Sequence, residues 1–376
     1  MDKPAKILFL SAPIGSGHIR AANAINDAIL CLRPDVNTRL INVFDFFSKS
    51  IGNFLLKTYF KILDFFPSLY GMMYGMGNTN KLALIGREIV SRFLANRMCR
   101  YIQDYSPTLI ICTHATPAGL IAYLIKEKRI DIPAVAVVTD FVIHRLWIYE
   151  DISYYFVASE ELRKFLEQYG ITRSNSNASG IPIASSFSEM ICTEKLREKL
   201  DVPSDIKTIL LMGGGAGVMP MAEILIALNE IITPIQVLVV TGSNNKLYKK
   251  LESNKGGFKY RVKIFGFIDN IHELMAVSDI LVSKPGGMTS SEALSMGLPL
   301  VIYRPIPGQE EANTKFLIEK KAAVRAESTE DLVNVINRLF KQDDNNLAVM
   351  RENSAKLGRP EAARRIAETI IKKYSV

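Results

Sequence analysis

Apolar and polar positions along the chain follow a repeating order. Eight short apolar runs, KILFL, TLIICT, AVAVVT, YYFVAS, KTILLMG, IQVLVVTG, DILVSK and PLVIY, are each followed by a loop and then by apolar residues at helical spacing. Strand then helix, repeated, predicts parallel sheets with helices on both faces. The first four runs and the last four are separated by SNASGIPIASSF, rich in small residues and proline, so a hinge is expected near Gly180–Ser188. The architecture expected is α/β, with two doubly wound domains facing a central cleft and ligands beyond the carboxyl ends of the strands. The last helical stretch, GRPEAARRIAETIIKKY, predicts a terminal helix with Pro360 at its start and Glu361 in its first turn. Lys372 and Lys373 fall in its last turn, where they complement the helix dipole.

One segment departs from this order. SKSIGNFLLKTYFKILDFFPSLYGMMYGM is crowded with aromatic and aliphatic residues, and its polar residues Lys49, Asn53, Lys57, Lys61 and Asp64 recur at intervals of three to four. That spacing draws one narrow polar stripe along an otherwise apolar helix. From Lys49 to Arg100 eight Lys and Arg stand against Asp64 and Glu88, so this stretch holds +6 of the chain's formal +8. Two readings follow. The segment is a buried helix succeeded by a basic surface helix, or it is a surface that dips into an anionic lipid interface, with Lys57, Lys61, Phe65 and Phe66 at the contact. Basic charge beside aromatics also suits single-stranded nucleic acid. Nothing else in the chain resembles a nucleic-acid-binding module, so no nucleic-acid partner is expected.

The chain has 376 residues, of which 48% are hydrophobic and 22% charged, enough for two cores. Cys31, Cys99, Cys112 and Cys192 are scattered, with no CxxC and no ligand partner at metal spacing. They are expected to be buried thiols in a reducing cytosol, and no metal site is expected. The N-terminus runs straight into a strand without a charged segment and a long apolar core, so no signal peptide is expected. No run of eighteen apolar residues occurs, so no transmembrane helix is expected either.

Three glycine-bearing loops follow strands. The first, SAPIGSGH, brings His18 to a strand-to-helix turn; the second is LLMGGGAGVMP; the third opens KPGGMTSSEAL. Neither a G-x-G-x-x-G fingerprint nor a P-loop G-K-[ST] is present, so the common nucleotide signatures fail. The third loop has its own logic. Gly286 and Gly287 at a helix N-terminus leave backbone N–H groups able to face a phosphate, and Thr289 and Ser290 add hydroxyls. Glu292, expected about one turn in, can accept two hydrogen bonds from a ribose diol, or is a plain carboxylate favoured by the helix dipole. PGQEEAN then supplies Gln309, Glu310 and Asn313, groups suited to sugar hydroxyls. A histidine where His18 stands serves as a helix cap or as a base. His114, in CTHATPAG, lines a site or is structural; His272 is expected to be structural; Trp147 touches a ligand or packs in the core.

The run KPGGMTSSEALSMGLPLVIY…PGQEEAN resembles the donor-binding region of glycosyltransferases of the GT-B fold, and within them the family of the peptidoglycan enzyme MurG and the glycolipid synthases. VTDFVIHRLWIYEDISYYFVASEEL followed by GIPI is similar to bacterial processive diacylglycerol beta-glucosyltransferases and plant monogalactosyldiacylglycerol synthases. The resemblance runs from about Ile7 to Ala323. It departs from the plant pattern at the first loop, where Ile14-Gly15-Ser16-Gly17 replaces three glycines before the histidine.

The resemblance implies two GT-B domains: an acceptor and membrane-docking domain over residues 1–182 and a UDP-sugar domain over 183–357. Residues 358–376 would form a helix crossing back to the first domain. It implies an inverting transfer of a hexose from a UDP-sugar, UDP-glucose first and UDP-galactose next, to the hydroxyl of diacylglycerol or a glycosylated diacylglycerol. Gly286, Gly287 and Thr289 would cradle the diphosphate, with Gly214 and Gly215 allowing close approach. Glu292 would hold the ribose, the backbone at Phe267 would face the uracil, and Gln309, Glu310 and Asn313 would surround the donor sugar. His18 would be the base, with Asp140 the alternative, and Gly17, His114, His144 and Trp147 would line the acceptor side. No metal or cofactor is implied, and the expected location is the cytoplasmic face of an anionic membrane. Rival readings are transfer of N-acetylglucosamine to a polyprenyl-linked acceptor, a sugar-nucleotide epimerase and a non-catalytic UDP-sugar sensor.

Overall fold

The computed structural model describes residues 5–12, 17–46, 95–341 and 345–376. Lys57, Lys61, Phe65 and Phe66 of the basic aromatic segment lie outside the described residues, as do Gly15 and Ser16. The described residues form two compact units. One holds the chain up to Ser185 together with Ile306–Gln309 and Pro360–Val376; the other holds Ser186–Pro305 and Glu310–Arg359.

The first unit is built on a six-stranded parallel sheet in the order β2-β1-β3-β4-β5-β6. Its strands are β1 Lys6–Ser11, β2 Asn37–Asn42, β3 Leu109–Cys112, β4 Ala134–Val137, β5 Tyr154–Phe156 and β6 Ser176–Asn177. Central strands of a parallel sheet are covered on both faces, which is why they read as unbroken apolar runs. In β1, Ile7 and Phe9 enter one core while Leu8 and Leu10 enter the other. The core on the Ile7 side is closed by the helix Gly17–Leu32 and by the terminal helix Ala362–Tyr374, whose Ile366, Ala367 and Ile370 are fully buried beside Ile25 and Ile29. Each buried isoleucine stabilises this docking by about 1.5–3 kcal/mol. Arg33 reinforces it with a 2.9 Å hydrogen bond to the carbonyl of Val376. Glu361 stands at the N-cap of that helix, not in its first turn, because Pro360 belongs to the preceding turn.

The second unit repeats the plan with the order β12-β11-β10-β7-β8-β9. Its strands are β7 Lys207–Met212, β8 Ile235–Val240, β9 Arg261–Phe265, β10 Ile280–Ser283, β11 Leu300–Tyr303 and β12 Ala323–Ala326. All described pairings are parallel.

The cysteine expectation is corrected in part. Cys99 and Cys112 are buried, but Cys31 and Cys192 are exposed. Cys31 sits in the last turn of the helix Gly17–Leu32 on its outer face, and Cys192 is the N-cap of the helix Thr193–Leu200, so neither position reaches a core. Among the described residues, no helix is long and apolar enough to cross a membrane.

Candidate active site

In each unit the strand order reverses once, and the reversal places the sequence-predicted loops. In the first unit the chain runs from β1 outward to β2, then returns to the other side of β1 as β3. Open α/β sheets bind ligands at such a switch point, beyond the carboxyl ends of the strands. The loop after β1 leads to His18, the residue after β3 is Thr113 followed by His114, and β4 leads to Thr139, Asp140 and His144. Because β1, β3 and β4 are sheet neighbours, these residues, up to 126 positions apart in sequence, converge at one edge.

His18 is held through one ring nitrogen. Its Nδ1 lies 3.0 Å from the carbonyl oxygen of Thr113 and 2.7 Å from the hydroxyl oxygen of Thr139. A carbonyl oxygen only accepts, so the 3.0 Å contact requires Nδ1 to carry the proton; otherwise two lone pairs would face each other. The neutral ring then keeps its lone pair on Nε2, as in other sites where a backbone carbonyl fixes a catalytic tautomer. Desolvation pushes the His18 pKa down, while the Asp140 charge and the Thr113 carbonyl oppose the shift. Asp140 is itself buried.

Two further imidazoles crowd this edge. The ring of His114 meets that of His18 edge to face, with centroids 4.6 Å apart. His114 also caps the helix Ala115–Lys126, its Nδ1 accepting from the backbone N–H of Thr116 at 3.0 Å. Desolvation holds its pKa well below the ordinary value, with His18 and His144 adding to the effect. Desolvation, aided by His18, lowers His144 to about 4. All three rings are therefore neutral near pH 7.

Trp147 lies in the core, 2% exposed, with its ring centroid 6.5 Å from that of His114. The segment it heads is anchored by the Tyr155 hydroxyl, which donates to the carbonyls of Trp147 and Tyr149 and accepts from the Tyr149 N–H. Gly119 makes room for it, since a Cβ there would stand 2.1 Å from the Tyr149 hydroxyl oxygen.

In the second unit the switch point lies between β7 and β10. After β7 comes the Gly213–Gly217 loop. Gly214 and Gly217 have φ of +72° and +63°, the left-handed region that favours glycine. A Cβ at Gly217 would stand 2.1 Å from the Thr241 carbonyl oxygen, and one at Gly242 would stand 2.4 Å from that of Gly215. The two loops interlock further because Ser243 donates to the Gly215 carbonyl from both its N–H and its hydroxyl, at 3.0 and 3.1 Å.

After β10, Gly286 caps the helix Gly287–Ser295 without any side-chain hydrogen bond to the first turn, and no atom lies within 4 Å of where its Cβ would be. The first-turn N–H groups thus stand at an open, small-residue entrance, which is the geometry an anion needs. Thr289 is half-buried in that turn; Glu292 lies in the second turn, just past the position expected, and is fully buried. Gln309 and Glu310 open the helix Gln309–Glu319, both half-buried, just after Gly308 at φ +104°. Asn313 is buried, and its amide donates to the Pro285 carbonyl at 3.0 Å, tying this helix to the loop before Gly286. Phe267, beyond the edge strand β9, is 70% exposed.

Several residues that build these sites were not singled out from sequence. Thr113 and Thr139 fix His18, each as the residue immediately before a flagged one, in CTH and VTD. Arg325, on β12, pairs with Glu311 in the first turn of the helix Gln309–Glu319 and with Glu327.

The family model described as monogalactosyldiacylglycerol (MGDG) synthase matches residues 18–183, and that of the glycosyltransferase family 28 C-terminal domain matches residues 208–368. A processive diacylglycerol beta-glucosyltransferase of Bacillus thuringiensis (strain Al Hakam) is 30% identical over 383 residues, covering 100% of this chain and 96% of that protein. One from Bacillus cereus (strain AH187) is 30% identical over 378 residues, covering 99% and 94%. Among solved structures, Acinetobacter baumannii MurG matches with a TM-score of 0.63 at 16% identity, covering 98% of this chain and 100% of that one. The S. aureus MnaA–UDP co-structure matches at 0.62 and 13% identity, covering 99% and 97%. These structural likenesses give the fold, which is GT-B with two Rossmann-like units. With both halves matched in order, and relatives 30% identical along nearly their whole length, the chain belongs to the glycosyltransferase family of the processive diacylglycerol beta-glucosyltransferases.

Proposed function

We propose that this enzyme transfers a hexose from a UDP-sugar, UDP-glucose first and UDP-galactose next, to the hydroxyl of diacylglycerol or a glycosylated diacylglycerol, with inversion at the anomeric carbon. The observation that carries the mechanism is the pinning of His18 Nδ1 by the Thr113 carbonyl. It leaves Nε2 as the proton acceptor for a hydroxyl that is a poor nucleophile until it loses its proton. The substrate class is supported by the names of the full-length relatives.

In this reading the first unit takes the lipid acceptor. His18 removes the hydroxyl proton and Asp140 stabilises the imidazolium that forms; Gly17, His114, His144 and Trp147 shape the surroundings. The second unit takes the donor. First-turn N–H groups at Gly286 and Gly287, with Thr289, hold the diphosphate and stabilise the charge on departing UDP. The Gly214–Gly215 backbone allows close approach, Glu292 accepts from the ribose, the backbone at Phe267 faces the uracil, and Gln309 and Glu310 hold the sugar. Asn313 acts on the donor side by fixing the Pro285 carbonyl. The chemistry calls for neither a metal nor a cofactor. Lys57, Lys61, Phe65 and Phe66 would dock the protein on an anionic membrane from the cytoplasmic side.

The test is UDP release from purified protein given diacylglycerol in anionic vesicles and, in parallel, UDP-glucose, UDP-galactose or UDP-N-acetylglucosamine. Lipid-dependent release with one hexose donor supports the reading and names the donor. Release only with UDP-N-acetylglucosamine and a polyprenyl-linked acceptor replaces it, and UDP binding without release under any condition points to a sensor. Charge reversal of Lys57 and Lys61 should weaken binding to anionic vesicles; wild-type protein that ignores such vesicles at low salt overturns the docking.

A further inference from the structure

His18 and His114 stand edge to face, 4.6 Å between centroids, and their backbone partners are opposite in kind. His18 Nδ1 faces a carbonyl oxygen, Thr113, which only accepts. His114 Nδ1 faces a backbone N–H, Thr116, which only donates. A neutral imidazole carries one proton. Nδ1 of His18 therefore holds it, leaving a lone pair on Nε2. Nδ1 of His114 cannot hold it, so Nε2 is an N–H. Two adjacent rings at the carboxyl edge of the first sheet thus differ at Nε2, a lone pair on His18 and an N–H on His114. Both residues are half-buried.

We propose that His114 is a second acceptor-site residue, whose Nε2–H donates to the same hydroxyl oxygen whose proton His18 Nε2 removes. The inference rests on the reading of this edge as the acceptor site. An alcohol oxygen has one proton and two lone pairs. With its proton directed at His18 and one lone pair held by His114, a single lone pair remains for attack, and its direction is set by the two rings. The pair selects for a group that both gives and receives a hydrogen bond, which is an alcohol. A thiol, a weak acceptor, satisfies only one of the two rings. The depressed pKa values of both histidines keep the two tautomers in place near neutral pH.

The two roles of His114, cap and donor, can be separated by substitution. In His114→Asn the amide oxygen falls near the Nδ1 position and preserves the cap, since Asn is a preferred N-cap residue, but nothing reaches the Nε2 position. In His114→Gln the longer amide reaches that position and can donate, while the cap is lost. The experiment measures kcat/KM for diacylglycerol in vesicles and for the UDP-sugar, UDP affinity, and the melting temperature of each variant.

The expected result is a crossed pattern. His114→Asn melts like wild type and binds UDP normally but loses about 10- to 100-fold in kcat/KM for the acceptor, the scale of one unpaired hydrogen bond at a buried polar group. His114→Gln melts lower yet keeps acceptor kcat/KM above that of His114→Asn. Wild-type transfer by His114→Asn overturns the proposal and leaves His114 as a cap. So does loss of transfer in both variants in step with the fall in melting temperature. A His18→Ala control separates the layers. If it still transfers, the acceptor-site reading fails and this inference fails with it; if it is silent while His114→Asn is fully active, only this inference fails.

Discussion

The Nδ1 atom of His18 stands 3.0 Å from the carbonyl oxygen of Thr113. In the proposed reaction that contact orients the base, and the groups around it set the pH at which it can act. Desolvation lowers the His18 pKa below 6.5, and the Asp140 carboxylate raises it part of the way back. His114 and His144 face the same ring but are neutral near pH 7. As the proposed base, His18 must be unprotonated, so kcat/KM should rise with pH through an acid limb centred below 6.5. Asp140→Asn removes the charge that favours the imidazolium, so the limb should move to still lower pH. The plateau should also fall, since the imidazolium formed during proton removal loses its counter-charge. A limb that vanishes in Asp140→Asn while His18→Ala retains it would make the carboxylate the base instead, and a limb that stays in place in Asp140→Asn would remove Asp140 as the counter-charge of His18.

Glycines 214 and 217 make different demands on one loop. Both have positive φ, but a Cβ at Gly214 meets nothing within 4 Å, whereas one at Gly217 would lie 2.1 Å from the Thr241 carbonyl oxygen. Gly214→Ala carries only backbone strain, roughly 1–2 kcal/mol. Gly217→Ala adds a clash with backbone that no rotamer can relieve, a further ~1–3 kcal/mol. Thermal melts should order the variants as wild type, Gly214→Ala, Gly217→Ala. UDP affinity should fall most in Gly217→Ala, because the shifted loop no longer interlocks with Ser243.

The ion pairs of Arg325 should matter more for geometry than for stability. Arg325 and Glu311 are 30% and 46% exposed, and pairs this open contribute ~1 kcal/mol or less. Yet Glu311 sits beside Glu310 in the first turn of the helix Gln309–Glu319, and Arg325 ties that turn to β12. Arg325→Met should leave the melting temperature nearly unchanged and raise the KM for the UDP-sugar several-fold, with the acceptor KM unaffected. A matching rise in both KM values, or in neither, would remove Arg325 from the donor side.

How much of this was legible beforehand depended on where each residue sits in a sheet. The eight strands read from the sequence include all eight interior ones: β1, β3, β4, β5, β7, β8, β10 and β11. The four that escaped, β2, β6, β9 and β12, are the four sheet edges. An edge strand has one neighbour and keeps polar residues, as in NTRLIN of β2 and RVKIF of β9, so its pattern does not stand out from a loop. The site shows the same division. His18, Asp140 and Gly286 were visible because their residue types are unusual after apolar strands. Thr113 and Thr139 were not, because a threonine ending a strand is ordinary and its carbonyl or hydroxyl gains meaning only from the fold. Arg325 and Glu311 are 14 residues apart and meet only through the placement of β12.

The thiols give a direct check on the packing. Cys31 and Cys192 are exposed, while Cys99 and Cys112 are buried, and burial pushes the Cys112 thiol strongly upward. Reactivity follows exposure and thiolate fraction. Native protein should therefore react with a thiol reagent at two sites in minutes, and at four after denaturation. Peptide mapping should place the fast label on Cys31 and Cys192; rapid labelling of Cys112 would mean that β3 is not in the interior of its sheet.

Glu292 tests the donor side at the level of one functional group. It is fully buried in the second turn of the helix Gly287–Ser295. A carboxylate that accepts from a ribose diol should discriminate UDP from its 2′-deoxy analogue. Glu292→Gln keeps shape and volume but weakens the acceptor, so UDP affinity should drop by roughly 10-fold, the scale of one charge-assisted hydrogen bond. The deoxy analogue has already lost one partner, and its affinity should fall less. Calorimetric titration of both nucleotides against both proteins gives the coupling as a double-mutant cycle. A non-zero coupling of about 1 kcal/mol places the carboxylate at the diol. Equal losses for UDP and its deoxy analogue, with a lowered melting temperature, would make Glu292 a buried structural carboxylate whose effect on the nucleotide runs through the helix.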